Sequence, residues 1–184
     1  MNQNIEKQRT IKRSLHRIIQ EGDLDELERL YQQIPNWWQY ESIDLFFHNV
    51  CEKGYIDVVN RLLQDDRVDP SAGDNYVIRM ASHGGHLDVL NRLLQDHRVD
   101  PSADYNYAIR WAARRGYVDV VNRLLQDDRV DPSARVNYAI IWAFEYRHLD
   151  VVNRLLQDER VDPSADDNFA IRMASQYGHV DVIN

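Results

Sequence analysis

Along most of this chain a short apolar stripe, a turn and a second apolar stripe follow one another, and the pattern recurs every 31 residues. The second stripe is the clearest. Tyr55-Ile-Asp-Val-Val-Asn-Arg-Leu-Leu-Gln-Asp65 returns as His86 to Asp96, Tyr117 to Asp127 and His148 to Asp158, and His179-Val-Asp-Val-Ile-Asn184 begins it again. Leu87, Val89, Leu90, Leu93 and Leu94, or their equivalents, fall on one broad face, which predicts a short amphipathic helix. On the polar side an acid stands four residues before an arginine, in Asp57/Arg61, Asp88/Arg92, Asp119/Arg123, Asp150/Arg154 and also Asp25/Arg29. That order predicts surface ion pairs of about 0.2–0.5 kcal/mol each. The leucines matter more, since truncating one buried leucine to alanine costs about 2–5 kcal/mol.

The first stripe includes Tyr76-Val-Ile-Arg-Met-Ala81 and Tyr107-Ala-Ile-Arg-Trp-Ala112. Gly85, Gly116 and Gly178 are placed to end these helices in the left-handed conformation, and Arg147 stands where the fifth unit would have its glycine. That substitution predicts a strained or altered turn. Val-Asp-Pro-Ser-Ala opens the units at 68–72, 99–103, 130–134 and 161–165, and the Asp-Pro pair forces an extended turn. Asn75, Asn106, Asn137 and Asn168 come just before the apolar stretch, where they read as N-caps.

The N-terminal part is less regular. Residues 1–8 are polar and are expected to fray. Ile11, Leu15, Ile18 and Ile19 predict a helix over 9–20, ended by Gly22. After the break at Ile34-Pro35-Asn36 come Trp37, Trp38 and Tyr40, then a helix over about 42–52 closed by Gly54.

A fixed period of this size reads as a solenoid. The expectation is an all-α fold of stacked helix-turn-helix repeats forming one domain over 1–184. Residues 9–36 form a degenerate N-terminal cap repeat; 37–67, 68–98, 99–129 and 130–160 are full repeats; 161–184 is a truncated one. The truncated unit stops before its Leu-Leu pair, so the chain is either a fragment of a longer array or ends in a fraying segment, with weak amide protection expected after about Ala165.

This arrangement resembles the ankyrin-repeat family. Gly85-His-Leu-Asp-Val-Leu90 and Gly178-His-Val-Asp-Val-Ile183 match its Gly-His element, and Leu45-Phe-Phe-His-Asn-Val50 is nearest to its Thr-Pro-Leu-His-x-Ala motif. The units are shorter than the family's period of roughly 33, the Thr-Pro pair is missing, and arginine mostly fills the histidine place. These departures bear on the finger-like β-turn more than on the helices. Tetratricopeptide units fit worse in both period and pattern. The near-identical units also resemble ankyrin arrays of large DNA viruses and intracellular bacteria, which would place the chain in a host cytoplasm.

Charge and chemistry narrow the reading. Net charge is −8 and no unit is basic, which disfavours nucleic acid and anionic membranes as partners. No apolar run is long enough for a signal peptide or a membrane span. Cys51 is the single cysteine, so no internal disulfide can form, and a reducing, cytoplasmic setting is expected, with Cys51 a small buried thiol. The column of His86, His148 and His179 holds tyrosine at Tyr55 and Tyr117, which favours packing or helix-start hydrogen bonding over metal ligation. Acidic pairs such as Asp65-Asp66 and Asp166-Asp167 lack the calcium-loop pattern, and no nucleophile stands with a placed base. No enzyme, cofactor or metal site is expected.

Comparison between units isolates the columns that change. One pairs Gly73-Asp74, Asp104-Tyr105, Arg135-Val136 and Asp166-Asp167 at the turn; another runs Ser82-His83-Gly84, Ala113-Arg114-Arg115, Phe144-Glu145-Tyr146 and Ser175-Gln176-Tyr177. A third reads Asn49, Met80, Trp111, Trp142 and Met173. The resemblance implies that these positions line a concave, partner-binding face. The expected contact residues for another protein are Met80, Asp104, Tyr105, Trp111, Arg114, Arg115, Arg135, Trp142, Glu145 and Tyr146, with the two tryptophans as hot spots. The competing reading packs both tryptophans between units. The expected molecule is a monomeric scaffold for protein interaction; the alternative is an adaptor delivering its partner to an enzyme complex such as a ubiquitin ligase.

Overall fold

The structure, a computed structural model, describes residues 2–34, 36–39 and 42–176. Its described residues form eleven α-helices and no strand: α1 (Asn2–Glu21), α2 (Leu24–Gln33), α3 (Ile43–Lys53), α4 (Ile56–Leu62), α5 (Ala72–Gly84), α6 (Leu87–Leu93), α7 (Ala103–Arg115), α8 (Val118–Leu125), α9 (Ala134–Glu145), α10 (Leu149–Leu156) and α11 (Ala165–Gln176). A short 3₁₀ turn, Trp37–Gln39, precedes α3. The odd-numbered helices pack in series from α1 to α11, and α2, α4, α6, α8 and α10 form a second layer. Between the layers lies one continuous core. Val89, Leu90 and Leu93 of α6 are fully buried, as are the equivalent Val58, Val59 and Leu62 of α4, and Cys51 lies in the same core.

Helix α1 runs from Asn2, so residues 2–8, expected to fray, are helical. Ile11, Leu15 and Ile18 anchor it in the core, and a helix already nucleated propagates into polar flanking residues at little cost. Asp23 caps α2 by accepting from Glu26 N, and Ser42 caps α3 by accepting from Leu45 N.

The helix-ending glycines behave as the pattern predicts. Gly85 has φ +77°, and the next backbone N–H, of His86, donates to Ala81 O at 3.0 Å. A Cβ on Gly85 would lie 2.9 Å from the Tyr117 ring of the following helix pair. Arg147 adopts the same left-handed conformation at φ +64°, and His148 N still donates to Ala143 O. The turn shape is therefore kept, with an arginine where glycine would be unstrained. Gly178 lies outside the described residues.

The asparagines are not N-caps. An N-cap residue has an extended backbone, whereas Gly73, Asp74 and Asn75 all have positive φ, as do Asp104, Tyr105, Asn106 and Arg135, Val136, Asn137. Each trio makes a single left-handed turn, after which the right-handed helix begins. This turn stands where the resemblance to ankyrin repeats would put a finger-like β-turn. Asn75 and Asn106 close it and are buried, with their Oδ1 atoms accepting from Asp100 N and Asp131 N of the next unit, both at 2.7 Å. Asn137 bridges onward through Nδ2 to Asp162 O at 2.9 Å.

The expected ion pairs four residues apart are also replaced. Arg61 reaches back to Glu28 at 2.6 Å, Arg123 to Asn91 at 2.8 Å and Arg154 to Asn122 at 2.6 Å, while Arg29 takes Glu26. For the half-buried Arg61, Arg123 and Arg154 the neighbouring helix offers a partner less exposed than the aspartate on their own helix. A second arginine column, unrecognised from sequence, works the same way. Arg98, Arg129 and Arg160 each grip the aspartate two residues earlier and donate to Val68 O, Val99 O and Val130 O of the preceding unit. The charges do more than mark the solvent side; they stitch adjacent units.

Candidate functional site

The variable columns meet on the outer surface of the α5, α7, α9 row. The local sequence explains how. Tyrosine opens each right-handed helix at Tyr76, Tyr107 and Tyr138; three residues later stands Arg79, Arg110 or Ile141, and after it Met80, Trp111 or Trp142. Spacings of three and four put these side chains on one helix face. Tyr107 and Trp111 lie 5.4 Å apart between centroids, and Tyr138 and Trp142 lie 5.7 Å apart. Stacking of units then brings Trp111 and Trp142 to 5.9 Å in an edge-to-face pair, and sets His83 edge-on to Trp111 at 4.9 Å. Such pairs contribute about 0.5–1.5 kcal/mol beyond area burial.

Guanidiniums fill the gaps in this row of rings. Arg79 lies between Tyr76 and Tyr107, at 5.1 and 5.2 Å from their centroids. Arg110 lies between Tyr107 and Trp142, at 5.4 and 5.6 Å. Arg114 lies over Trp111 at 4.5 Å and Tyr146 at 4.8 Å, and donates to the Tyr146 hydroxyl at 2.7 Å. Arg115 donates to His83 Nε2 at 2.7 Å; a guanidinium only donates, so that nitrogen accepts and the imidazole is neutral. Burial, then the charge of Arg115, holds the His83 pKa below its usual value.

The arginines at the family's histidine place also hold the left-handed turns. Arg79 donates to Gly73 O and pairs with Asp104 at 2.8 Å; Arg110, almost wholly buried, donates to Asp104 O and Tyr105 O. Burial, then repulsion by Arg135, pushes the Arg110 pKa below the usual arginine value. Ile141 has no such donor, so the third turn, Arg135–Val136–Asn137, lacks the clamp.

The ten expected contact residues are distributed as follows. Trp111, Trp142 and Arg114 are half-buried, with part of each surface open. Arg115, Glu145 and Tyr146 are exposed beside them. Tyr105 is 65% exposed at the turn tip with Arg135 over its ring at 4.5 Å, and Asp104 is held by Arg79. Met80 is only 9% exposed and contributes an edge at most. The tryptophans therefore pack between units and also present a surface. His83, Trp111, Arg114, Arg115, Tyr146 and His148 surround a groove of about 470 Å³. Sequence reading placed His83 in a variable column without choosing it as a contact, and missed Tyr107, Tyr138 and Arg110; the recurring tyrosine three before arginine was the available signal.

His86 and His148, the described members of the histidine column, are held in hydrogen bonds to the preceding unit. His86 Nε2 donates to Glu52 O at 2.7 Å, His148 Nε2 to Arg114 O at 3.0 Å, and the Tyr55 hydroxyl to Gln20 O at 2.7 Å, each capping the end of the preceding unit's first helix. Among the described residues no group of His, Cys, Asp and Glu could hold a metal ion, and no helix is long and apolar enough to cross a membrane.

A model of the family described as ankyrin repeats (3 copies) matches residues 47–136. No curated protein matches the chain. The match begins in α3 and ends in the left-handed turn of α9, so it takes in Tyr76, His83, Tyr107 and Trp111 of the aromatic row but not Tyr138, Trp142 or Tyr146. With the paired helical layers, it defines the fold as an all-α solenoid of ankyrin type. Ankyrin repeats are in general protein–protein interaction modules and typically non-catalytic. The match carries no information about the source.

Proposed function

We propose that this chain is a monomeric scaffold that grips another protein along the α5–α7–α9 row. Trp111 and Trp142 anchor the contact, Arg114, Arg115, Glu145 and Tyr146 flank them, and Asp104, Tyr105 and Arg135 reach out from the turn tips; Met80 contributes only its exposed edge. One observation carries the reading: rings and guanidiniums form an unbroken row across three stacked units, half-buried by one another and still open to solvent on one side. A row made only for stability would be covered, and large aromatics beside arginine are the residues in which interfaces concentrate binding energy. The repeats over 37–160 supply the row, with 9–36 as the polar cap, and a cytoplasmic setting suits the buried free thiol of Cys51.

The test is partner capture with the intact chain against Trp111→Ala and Trp142→Ala, with melting temperatures measured alongside. Loss of capture with the fold retained supports recognition by this row. Unchanged capture with a lowered melting temperature returns the tryptophans to a purely structural role.

A further inference from the structure

Resting on that reading, we infer that the groove between α5, α7 and α9 takes an acidic stretch of the partner protein, with a carboxylate held by Arg114 and Arg115. Among the described residues, carboxylate pairs are seen at Arg17, Arg29, Arg61, Arg67, Arg79, Arg98, Arg129 and Arg160. Arg114 and Arg115, adjacent in sequence and both lining the groove, have no carboxylate within 4.0 Å among the described residues, in a chain of net charge −8. Other arginines, Arg110 and Arg135 among them, also stand without one; what sets Arg114 and Arg115 apart is that two consecutive arginines line the same groove.

The chemistry of the groove is one-sided. Arg114 spends one N–H on the Tyr146 hydroxyl and Arg115 spends one on His83, which leaves most of their five donors each uncommitted. The Tyr146 hydroxyl, accepting from Arg114, keeps its own hydrogen to donate. The Trp111 indole N–H is buried without an acceptor. His83 Nε2 and the Tyr146 hydroxyl already accept from the two arginines, and His148 Nδ1 is the one further side-chain acceptor on the wall, so donors outnumber open acceptors. An occupant must therefore bring acceptors, and a carboxylate is acceptor-only when ionised and matches a guanidinium in bidentate geometry. Arg114 is pre-oriented, since the rings of Trp111 and Tyr146 flank it and its hydrogen bond fixes its plane. The acid that acts on His83 from α3 is Glu52, which leaves the groove's own wall without a negative group. A long polyanion such as nucleic acid would meet the acidic turns and outer helices, whereas a short acidic stretch feels chiefly the local field.

The experiment is selection of short random displayed peptides on the intact chain. The expected result is enrichment of Asp and Glu. A synthetic peptide of the enriched sequence then binds Arg114→Gln/Arg115→Gln at least about tenfold more weakly, and its all-Gln/Asn version loses binding to the original chain by a similar factor. Arg115→Glu is the second variant. Its side chain is exposed, so the fold is kept, and a reversed charge alone weakens binding. Enrichment of non-acidic sequences whose binding Trp111→Ala abolishes overturns this inference while leaving the row as a recognition surface. No enrichment at all overturns both.

Discussion

Asn106 offers a quantitative probe of what couples one unit to the next. Its backbone sits at φ +59°, ψ +42°, its side chain is 8% exposed, and Oδ1 accepts from Asp131 N at 2.7 Å across the unit boundary. Two contributions can be separated by two substitutions. Asn106→Gly keeps the left-handed backbone at no steric cost and removes the acceptor; with the extra freedom of glycine in the unfolded chain the loss is about 2 kcal/mol. Asn106→Ala removes the same acceptor and adds the left-handed penalty of a Cβ, for about 3 kcal/mol in total. For a chain of this size each kcal/mol shifts the melting temperature by about 2–4 °C, so drops of about 6 °C and about 9 °C are expected. The assays are thermal melts and urea unfolding, both followed by far-UV circular dichroism, with hydrogen exchange read segment by segment. The loss should fall on the boundary between the α7/α8 and α9/α10 pairs, because a stacked array is stabilised by nearest-neighbour terms. Amides of α9 should then exchange faster while those of α3 change little. A glycine variant as stable as the original chain would refute the bridge. Equal acceleration of exchange in α3 and α9 would refute the nearest-neighbour reasoning.

Three further outcomes follow from positions already described. Val136 is β-branched, 52% exposed and held at φ +60°, so Val136→Gly should raise stability by about 1 kcal/mol in the same urea assay; no gain would mean the turn carries no strain. Gly85→Ala should lower it by about 2 kcal/mol or more, through its φ of +77° and the Tyr117 ring 2.9 Å from the new Cβ, and a neutral result would show that the ring yields. Arginine hydrogen bonds, from Arg67 and Arg98 respectively, are the main reason the Asp65 and Asp96 pKa values are held down at about 2. A depressed folded pKa means the stabilisation is full above the unfolded value near pH 4 and is lost as the pH falls toward about 2. Asp96→Asn should flatten that part of the stability–pH curve, as followed by thermal melts across the window, and an unchanged slope would refute the pairing.

The helices and their core faces were legible because burial imposes spacing: Val89, Leu90 and Leu93 have equivalents in each of the four full units and could only be one stripe. The glycine stops were legible for a related reason, since a left-handed helix end leaves few other choices. The asparagines misled because the residue type that caps helices also tolerates positive φ, and local sequence does not say which property is used. The arginines misled because a partner four residues away is visible in sequence, while Asn91, Glu28 and the carbonyl of Val68 become neighbours only after stacking. At the candidate site, Trp111 and Trp142 stood out as variable and large. The interleaving of Arg110 and Arg114 between rings depends on the offset between units, which the period alone does not supply.

The near-identity of the units gives the exceptions their meaning. Where α5 and α7 carry an arginine that clamps the left-handed turn, α9 carries Ile141; where the turn has Asp74, or Tyr105 held by Arg110, it has Val136; where the helix ends in Gly85 or Gly116, it ends at Arg147 with φ +64°. Each change costs stability by a separate mechanism: a lost charge-assisted bond, a β-branched residue at positive φ, and a Cβ in the left-handed region. All three fall in one helix pair, and that pair also supplies Trp142, Tyr146 and His148 to the aromatic row and its groove. Backbone strain gathered in one unit, beside the row of rings, is what a site specialised at the expense of the scaffold looks like. Restoring the pattern with Ile141→Arg, Val136→Asp and Arg147→Gly together should therefore stabilise the array while weakening capture of the partner, as read by urea unfolding and pull-down on the same triple variant. A stabilised array that captures as well as before would detach the strain from the function.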